Sequence, residues 1–294
     1  MATQGASPIL LTEMSTVTSF AITTILLIPA LSYLYVLLRR DYDDFLSLGP
    51  GGTPSTPLGY LRIKILSFFA LRDPCRAAPV PPNLRPQRGY LSMSTLPVRA
   101  GPRPRVRGIA PHRQMTQRGP PNIFNALAMR LQALAAYERN GLALGTSCFE
   151  KHSTGLFCVS PVLRTCAGEV CHAHGSDGSL HLTLHPADAA AVLASGWGER
   201  HPLAKGGWLS RFVPAGFIMV YAPRDEVELE VVMQIILASA WWVGGRIPRP
   251  AGEGAVESRK PFTAVGLVPD SEGDNSADWA ARPCQTTSSM VHRS

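Results

Sequence analysis

An uncharged stretch near the amino terminus limits what the first part of this chain can fold into. From Met14 to Leu38 the sequence MSTVTSFAITTILLIPALSYLYVLL contains no charged residue. A helix that rises about 1.5 Å per residue over this stretch crosses the roughly 30 Å hydrocarbon layer of a bilayer. Pro29 lies inside it, and membrane helices tolerate proline. We therefore predict a single transmembrane helix at 14–38, preceded by a short tail at 1–13.

The alternative for this segment is a cleaved signal peptide, which the residues before it disfavour. Signal peptides begin with basic residues, whereas positions 1–13 contain no Lys or Arg and include Glu13. Arg39 and Arg40 follow the apolar stretch directly, and basic residues mark the cytoplasmic end of a membrane helix. We expect a single-pass protein of the endoplasmic reticulum or another endomembrane, with its C-terminal domain in the cytosol.

A second apolar stretch, GYLRIKILSFFAL at 59–71, is too short to span a bilayer and contains Arg62 and Lys64. Helical spacing places Leu61, Ile65, Phe68 and Phe69 on one side. The juxtamembrane segment 39–71 therefore contains either a helix lying on the membrane surface or an ordinary amphipathic core helix.

Residues 72–121 are rich in proline and arginine. Ten arginines stand against a single acid, Asp73. This composition is typical of an extended linker, and its charge suits anionic lipid headgroups. Nucleic acid is the rival partner, but the segment contains no recognisable nucleic-acid module. We expect a lipid membrane as partner and no nucleic acid.

Periodicity places the globular domain at 122–245. The segment SLHLTLH at 179–185 alternates, which directs Leu180, Leu182 and Leu184 to a core and His181 to the other face. The order helix, strands, helix, strand, helix predicts an α+β fold, with a small mixed sheet packed by helices. The tail at 246–294 has a disordered composition. The six cysteines contain no CxxC pair, so we expect mostly reduced thiols.

Five of the eight histidines lie between Glu169 and Ala204. His172 and His174 share a side if that segment is extended. Three interpretations stay open for these histidines together with His181 and His201. They ligate a metal with help from Glu169 or Asp177, act as general bases, or only hold loops in place.

Other polar and aromatic residues nearby are equally ambiguous. Trp197, between two glycines, is either a core plug or an aromatic wall for a flat substrate. Arg200 and Arg224 either hold an anionic oxygen or form ordinary salt bridges.

Several longer motifs carry a resemblance. They are RRDYDDFLSLGP after the apolar stretch, GYLRIKILSFF, LPVRAGPRP, the HAH and SLHLTL segments, GWGERHPLA, and VYAPRDEVELEVV. In this order, over about 39–245, they resemble the fungal luciferase family. Luminous members of that family are membrane-associated, cofactor-independent oxygenases. They add O2 to 3-hydroxyhispidin, a pyrone, and the resulting endoperoxide loses CO2 and emits light.

The resemblance implies a small aromatic or pyrone ligand and O2 as partners, with no metal and no cofactor. It implies catalytic roles for His172, His174, His181, His201 and Arg200. The substrate-binding residues that we expect are Trp197, Tyr221 and Arg224. We expect 169–204 to enclose a ligand-sized pocket with at least two histidines pointing inward. The alternatives are a non-catalytic ligand-binding or scaffolding module at the membrane, and a His-ligated metal enzyme.

Overall fold

The structure, a computed structural model, describes residues 8–91, 96–163 and 165–249, with side chains from residue 23 onward. The chain forms two compact units, one up to Gly49 and one from Pro50. The tail predicted at 246–294 lies outside the described residues, apart from 246–249.

The first unit consists of helix α1, Pro8–Ser47. This helix begins before and ends after the span predicted at 14–38. Its side chains from 23 to 40 are all exposed, although most of them up to 38 are apolar. By length and composition, Thr23–Ser47 is long and apolar enough to cross a membrane.

Helix α2, Pro57–Ser67, begins the second unit. The hydroxyl of Thr56 caps it by accepting a hydrogen bond from the amide of Gly59 at 3.1 Å. Ile63 and Leu66 are buried, whereas the side chains predicted to share one face are exposed: Leu61, Ile65, Phe68 and Phe69. The helix therefore has one apolar face inside the domain and a second one outside it.

Six strands form the central sheet, in the order β3 (Leu142–Thr146), β4 (Thr154–Cys158), β5 (Glu169–Ala173), β6 (Leu180–Thr183), β8 (Phe217–Val220) and β7 (Gly198–Arg200). Every neighbouring pair is antiparallel. The α+β class is confirmed, but the expected mixed sheet is wrong. Helix α4, Pro186–Ala194, carries the chain from β6 to a parallel β7, and β8 then inserts between them.

The core lies on one face of this sheet, where helices α3 (Pro121–Ala136) and α5 (Glu226–Gly244) pack. The predicted alternation of 179–185 is confirmed, because Leu180, Leu182 and Leu184 belong to the buried apolar cluster. The hydroxyl of Ser239 on α5 lies within hydrogen-bond distance of carbonyl oxygens of both Val170 and Thr183.

The segment expected to be a linker at 72–121 is instead part of the domain. It contributes a short antiparallel hairpin, β1 (Val106–Gly108) and β2 (His112–Gln114). Leu91 and Ile109 are buried. The carboxylate of Asp188 accepts hydrogen bonds from the amides of Tyr90 at 3.0 Å and Leu91 at 2.6 Å, which ties the segment to α4.

Arginines of this segment point into the protein as well as toward solvent. Arg103 donates hydrogen bonds to the carbonyl oxygens of Gly198 and Leu193. The guanidinium of Arg113 forms an ion pair with Glu150. Backbone carbonyls and one carboxylate thus take up charge that composition alone assigned to lipid headgroups.

The cysteines also differ from the expectation. Cys148 and Cys166 form a disulfide, whereas Cys158 and Cys171 are buried free thiols. Cys148 follows β3 and Cys166 precedes β5. These two segments meet because the carboxylate of Glu169 accepts hydrogen bonds from the Cys148 amide and the Ser147 hydroxyl, both at 2.8 Å. Sequence spacing carried no sign of this contact.

Candidate functional site

Five buried imidazoles meet on the face of the sheet opposite the core. Alternation along β5 and its C-terminal end puts His172 and His174 on this face, and His181 lies directly opposite His172 on β6. His201 follows β7, and His112 comes from hairpin strand β2. Each of the five is at most 4% exposed.

His112 was missed by the sequence interpretation. It lies in the segment assigned to a linker, where proline and arginine conceal a three-residue strand. Its ring stacks on that of His181 at 5.2 Å between centroids. No periodic signal marks it, because the hairpin is too short to alternate.

Three of the rings form a hydrogen-bonded chain that starts at the carboxylate of Glu169 and ends 3.6 Å from that of Glu199. Nδ1 of His172 lies 2.6 Å from Oε1 of Glu169, and Nε2 of His172 lies 3.3 Å from Nδ1 of His181. Nε2 of His181 lies 3.0 Å from Nδ1 of His112, whose Nε2 is 3.6 Å from Oε1 of Glu199. The chain therefore runs from β5 through β6 and β2 to β7.

His174 is held differently, at one nitrogen only. Its Nδ1 lies 2.9 Å from the hydroxyl of Ser179 and 3.7 Å from Oδ1 of Asp177. Its Nε2 is buried and has no hydrogen-bond partner among the described residues. A carboxylate oxygen, Oε2 of Glu150, lies 4.0 Å from this nitrogen. This nitrogen presents a lone pair to the interior of the cluster.

His201 has both ring nitrogens occupied by backbone. Its Nδ1 accepts a hydrogen bond from the amide of Leu203 at 3.1 Å, which leaves Nε2 as the donor to the carbonyl of Ile109 at 2.8 Å. The ring therefore joins the loop after β7 to the turn of the hairpin β1–β2. It offers no free lone pair to a substrate.

Burial favours the neutral form of three of these imidazoles, those of His174, His181 and His201. It lowers the pKa of His181 and of His201 well below the ordinary value, and the neighbouring histidines lower both further. Burial also lowers the pKa of His174, against the hydrogen bond with Asp177, which raises it. For Asp177, burial acts to raise the carboxyl pKa, but the hydrogen bond to His174 and those to Ser179 bring it below its usual range. Neutral rings are the form that accepts protons or binds metals.

Two phenylalanines border the cluster. The ring of Phe217 on β8 stacks on His181 at 5.1 Å and packs against Phe149 at 4.6 Å. Both contacts lie on the histidine side of the sheet. They supply an apolar wall that excludes water from the imidazoles.

Trp197 and Tyr221, the aromatic residues predicted to bind substrate, both have hydrogen-bond partners within the protein. Trp197 is 2% exposed within the core cluster, and its Nε1 donates to the carbonyl of Pro97 at 2.7 Å, as expected of a core plug. The hydroxyl of Tyr221 donates to Oε2 of Glu199 at 3.0 Å. Burial and the Glu199 carboxylate raise the pKa of Tyr221 far above its ordinary value, so it stays a donor.

The two predicted arginines lie outside the histidine cluster. Arg224 binds Glu228, which makes it an ordinary ion-pair partner. Arg200 donates to the carbonyl oxygens of Arg76 and Ala204. Burial lowers the pKa of Arg200 from its ordinary value.

A groove of about 700 Å³ lies beside Arg200 rather than beside the histidines. Its walls are residues 71–73 and 76–79 together with Arg200 and Lys205. This groove is therefore distinct from the pocket expected within 169–204 with two inward histidines. The histidines of the cluster point at one another instead.

The sequence of this chain is similar to those of several known fungal proteins. A luciferase from Neonothopanus nambi is 32% identical over 245 residues, which cover 77% of this chain and 87% of that protein. Luciferases from Armillaria mellea and Armillaria ostoyae are 34% and 33% identical, over 84% and 86% of their lengths. This chain belongs to the fungal luciferase family. The predicted resemblance is thereby confirmed.

The luciferase domain model of the family matches residues 167–239, from β5 into α5. Four of the five clustered histidines lie within this range: His172, His174, His181 and His201. His112 and its hairpin lie before it, although the family relatives align over most of the chain. No solved structure matches the chain significantly.

Proposed function

We propose that this member of the fungal luciferase family is an oxygenase that adds O2 to an enolic aromatic or pyrone substrate similar to 3-hydroxyhispidin. One observation carries the proposal: the histidine face presents imidazole nitrogens whose opposite ring nitrogens are held by oxygen atoms. Glu169 holds Nδ1 of His172, and Ser179 holds Nδ1 of His174. The curated relatives named luciferase support the same class of activity.

The reaction begins with an electron-rich enolate, because an enol reacts with O2 far more slowly than its anion. We assign removal of the enol proton to Nε2 of His172, which must turn from Nδ1 of His181, 3.3 Å away, to meet the substrate. The carboxylate of Glu169 stabilises positive charge on this ring, as an acid partner does for a catalytic histidine. His201 is assigned a positioning role, since both of its nitrogens bind backbone groups.

Tyr221 and the two phenylalanines beside the histidines have supporting roles in the proposed reaction. The Tyr221 hydroxyl holds Glu199 at the far end of the histidine chain. Phe149 and Phe217 keep water away from an enolate or peroxide formed beside them. We assign no direct substrate contact to Trp197 or Arg224, which are occupied elsewhere. Arg200 lies at the groove and suits an anionic substrate approaching through it.

A second candidate function is a non-catalytic ligand-binding or scaffolding module. The observation that favours it is that the groove contains no histidine, while the histidines contact one another. This candidate predicts ligand binding at the groove without oxygen consumption. The experiment below separates the two.

We also propose that α1 anchors the chain in an endomembrane, with the second unit in the cytosol. The support is its length, its apolar composition and the exposure of its side chains from 23 to 40. The exposed residues Leu61, Ile65 and Phe68 on α2 suit contact with the same lipid surface.

The test uses the full chain in lipid nanodiscs, incubated in air with 3-hydroxyhispidin while photons and oxygen uptake are recorded. Hispidin, which lacks the 3-hydroxyl, is the substrate control. We expect oxygen uptake from the wild type and a loss of roughly 100-fold or more in His172→Gln. His152→Gln, at an exposed histidine outside the cluster, should behave as wild type. Ligand binding with neither uptake nor light would replace the oxygenase by the binding module.

A further inference from the structure

The histidine chain leaves one lone pair facing a carboxylate. Three hydrogen-bonding contacts join Glu169, His172, His181 and His112 in that order. A neutral imidazole carries one N–H hydrogen and an ionised carboxylate carries none, so the three rings supply one hydrogen for each contact. Nε2 of His112 is then a lone pair that lies 3.6 Å from Oε1 of Glu199, beyond hydrogen-bond distance.

His174 presents a second buried lone pair. Its Nδ1 lies against Ser179 and Asp177, which leaves Nε2 without a hydrogen-bond partner among the described residues. A proton added to the chain would leave this nitrogen unsatisfied and would place a charged ring in a buried site, which desolvation disfavours. One cation between His172, His174 and His181 gives Nε2 of His174 a partner. It also reverses the tautomers of His181 and His112, so that His112 turns an N–H group toward Glu199.

We propose that His172, His174 and His181 bind one divalent first-row transition metal ion, through Nε2, Nε2 and Nδ1 respectively. With the ion in place, His172 donates from Nδ1 to Glu169, and His181 donates from Nε2 to His112. His112 then donates from Nε2 to Glu199. Every ring nitrogen of the four histidines has a partner in this arrangement. Neutral imidazole is a preferred ligand of zinc, copper, iron and nickel.

The spacing of the nitrogens fits such an ion. Ligands about 2.0–2.1 Å from a tetrahedral ion lie roughly 3.3 Å apart. Nε2 of His172 and Nδ1 of His181 are 3.3 Å apart. The ligand atoms of His172, His174 and His181 all lie within 4.8 Å of one another. Small side-chain rotations bring the third nitrogen to bonding distance.

The surroundings of the ligands are also those of a metal site. Metal-binding histidines commonly donate their other N–H group to a carboxylate or another oxygen acceptor, which fixes the ring. Glu169 does this for His172, and Ser179 with Asp177 does it for His174. Three protein ligands leave a fourth position open for water or substrate, as in catalytic sites.

A second trio, His112, His181 and His201, is comparably close. It is the weaker site, because both nitrogens of His201 already bind backbone groups. Metal binding there would require the contact with Ile109 or Leu203 to break. The trio on β5 and β6 requires no such loss.

A metal ion would change how the enolate is formed in the proposed oxygenase. Nε2 of His172 would then be a ligand, and the ion would stabilise the enolate oxygen at its open position. This role rests on the proposed function, whereas the binding of the ion does not. The expectation of a cofactor-independent enzyme, drawn from family resemblance, is thus directly testable on this chain.

The test is metal analysis of the full chain in detergent, purified without a polyhistidine tag. After exposure to Zn²⁺ or Co²⁺ and removal of free metal, we expect about one ion per chain by mass spectrometry, as for a single three-histidine site. Bound Co²⁺ should show the visible absorption of a nitrogen-ligated ion. Wild type that retains less than about one tenth of an ion per chain, without this absorption, overturns the proposal.

Two variants locate the site. His174→Gln should weaken Co²⁺ binding more than about 10-fold, and Asp177→Asn should weaken it about 10-fold by freeing the ligand ring. His152→Gln is the matched control and should bind as wild type. Circular dichroism verifies folding, and if His174→Gln does not fold, the wild-type measurement still decides. Undiminished binding in a folded His174→Gln variant also overturns the proposal.

Oxygen uptake separates this proposal from the proposed function. Metal binding without oxygen uptake from 3-hydroxyhispidin supports the site and removes the oxygenase. Full oxygen uptake by protein stripped of metal with a chelator supports the oxygenase. It overturns the role of the metal ion in the oxygenase reaction.

Discussion

Each buried histidine in this domain has a role set by what its two ring nitrogens contact. Both ring nitrogens of His201 bind backbone groups. Those of His172 contact a carboxylate and another imidazole, whereas only one nitrogen of His174 contacts oxygen atoms. His185 caps a helix: its Nδ1 accepts from the amide of Ala187 at 3.1 Å, and its Nε2 donates to the carbonyl of Pro86 at 2.9 Å. Residue type alone does not distinguish these roles.

His185 should make the domain less stable in acid. Burial lowers its pKa in the folded protein, against the hydrogen bond to Pro86. As pH falls through the ordinary histidine value of about 6.5, the unfolded chain binds the proton first, so the free energy of unfolding falls. In His185→Asn the side-chain oxygen still caps α4, but this titration is lost. Urea unfolding between about pH 7 and pH 5 should therefore give a flatter pH dependence for the variant.

Parallel curves of unfolding free energy against pH, with the variant less stable by a constant amount, would contradict this prediction for His185. That result would assign His185 a purely structural role. The other buried histidines affect both proteins equally, so the difference between the curves isolates His185.

Among the elements, regular alternation could be predicted from the sequence, whereas long-range pairing could not. The leucines of 179–185 were assigned to the core correctly because period-two burial is local information. Strand β7, inside GWGERHPLA, and strand β2 have three residues each, too few to show a period. The Cys148–Cys166 disulfide and His112 depend on contacts between distant segments, which composition does not record.

The segment before the hairpin shows the same limit. Its prolines and arginines predicted an isolated linker, yet Asp188 accepts from two of its amides. Gly89 makes this approach feasible, because a Cβ there would collide with the Asp188 carboxylate. A buried carboxylate on a helix thus holds an otherwise extended segment in place.

Removing this carboxylate should loosen the segment. Asp188→Ala leaves the amides of Tyr90 and Leu91 without this acceptor, which should cost about 1–3 kcal/mol of stability. Asp188→Asn keeps one acceptor oxygen and should cost less. Urea unfolding measures the stability, and limited proteolysis should show faster cleavage near 85–91 in the alanine variant. Equal stability of Asp188→Ala and wild type would show that other contacts hold the segment.

At the scale of the whole molecule, two helices meet the length and hydropathy of a membrane span, but they differ in burial. The side chains of α1 from 23 to 40 are all exposed, whereas 61% of the apolar part of α5 is buried in the domain. Exposed apolar side chains on α1 require lipid or another apolar partner to cover them. This difference supports α1 as the anchor and α5 as a core helix.

Charge inside α1 should release the protein from membranes. An Asp at the centre of a membrane helix costs about 2.5–3.5 kcal/mol, so the pair Leu26→Asp and Leu31→Asp should weaken insertion strongly. The measurement is the fraction of full chain that resists alkaline carbonate extraction of microsomes. The control is Val98→Asp, an exposed apolar residue of the second unit, which should stay in the pellet. Retention of the doubly substituted chain would contradict a spanning role for α1.

The burial of α5 has a consequence for the order of events during synthesis. By length and composition α5 is apolar enough to cross a membrane, although it is less apolar than the uncharged stretch 14–38 of α1. Among the described elements it is the last to leave the ribosome, after the strands β1 to β8 have been made. A sheet already paired at that moment can cover α5 as it emerges. For a chain anchored as proposed, delayed strand pairing would leave this helix exposed to the same bilayer.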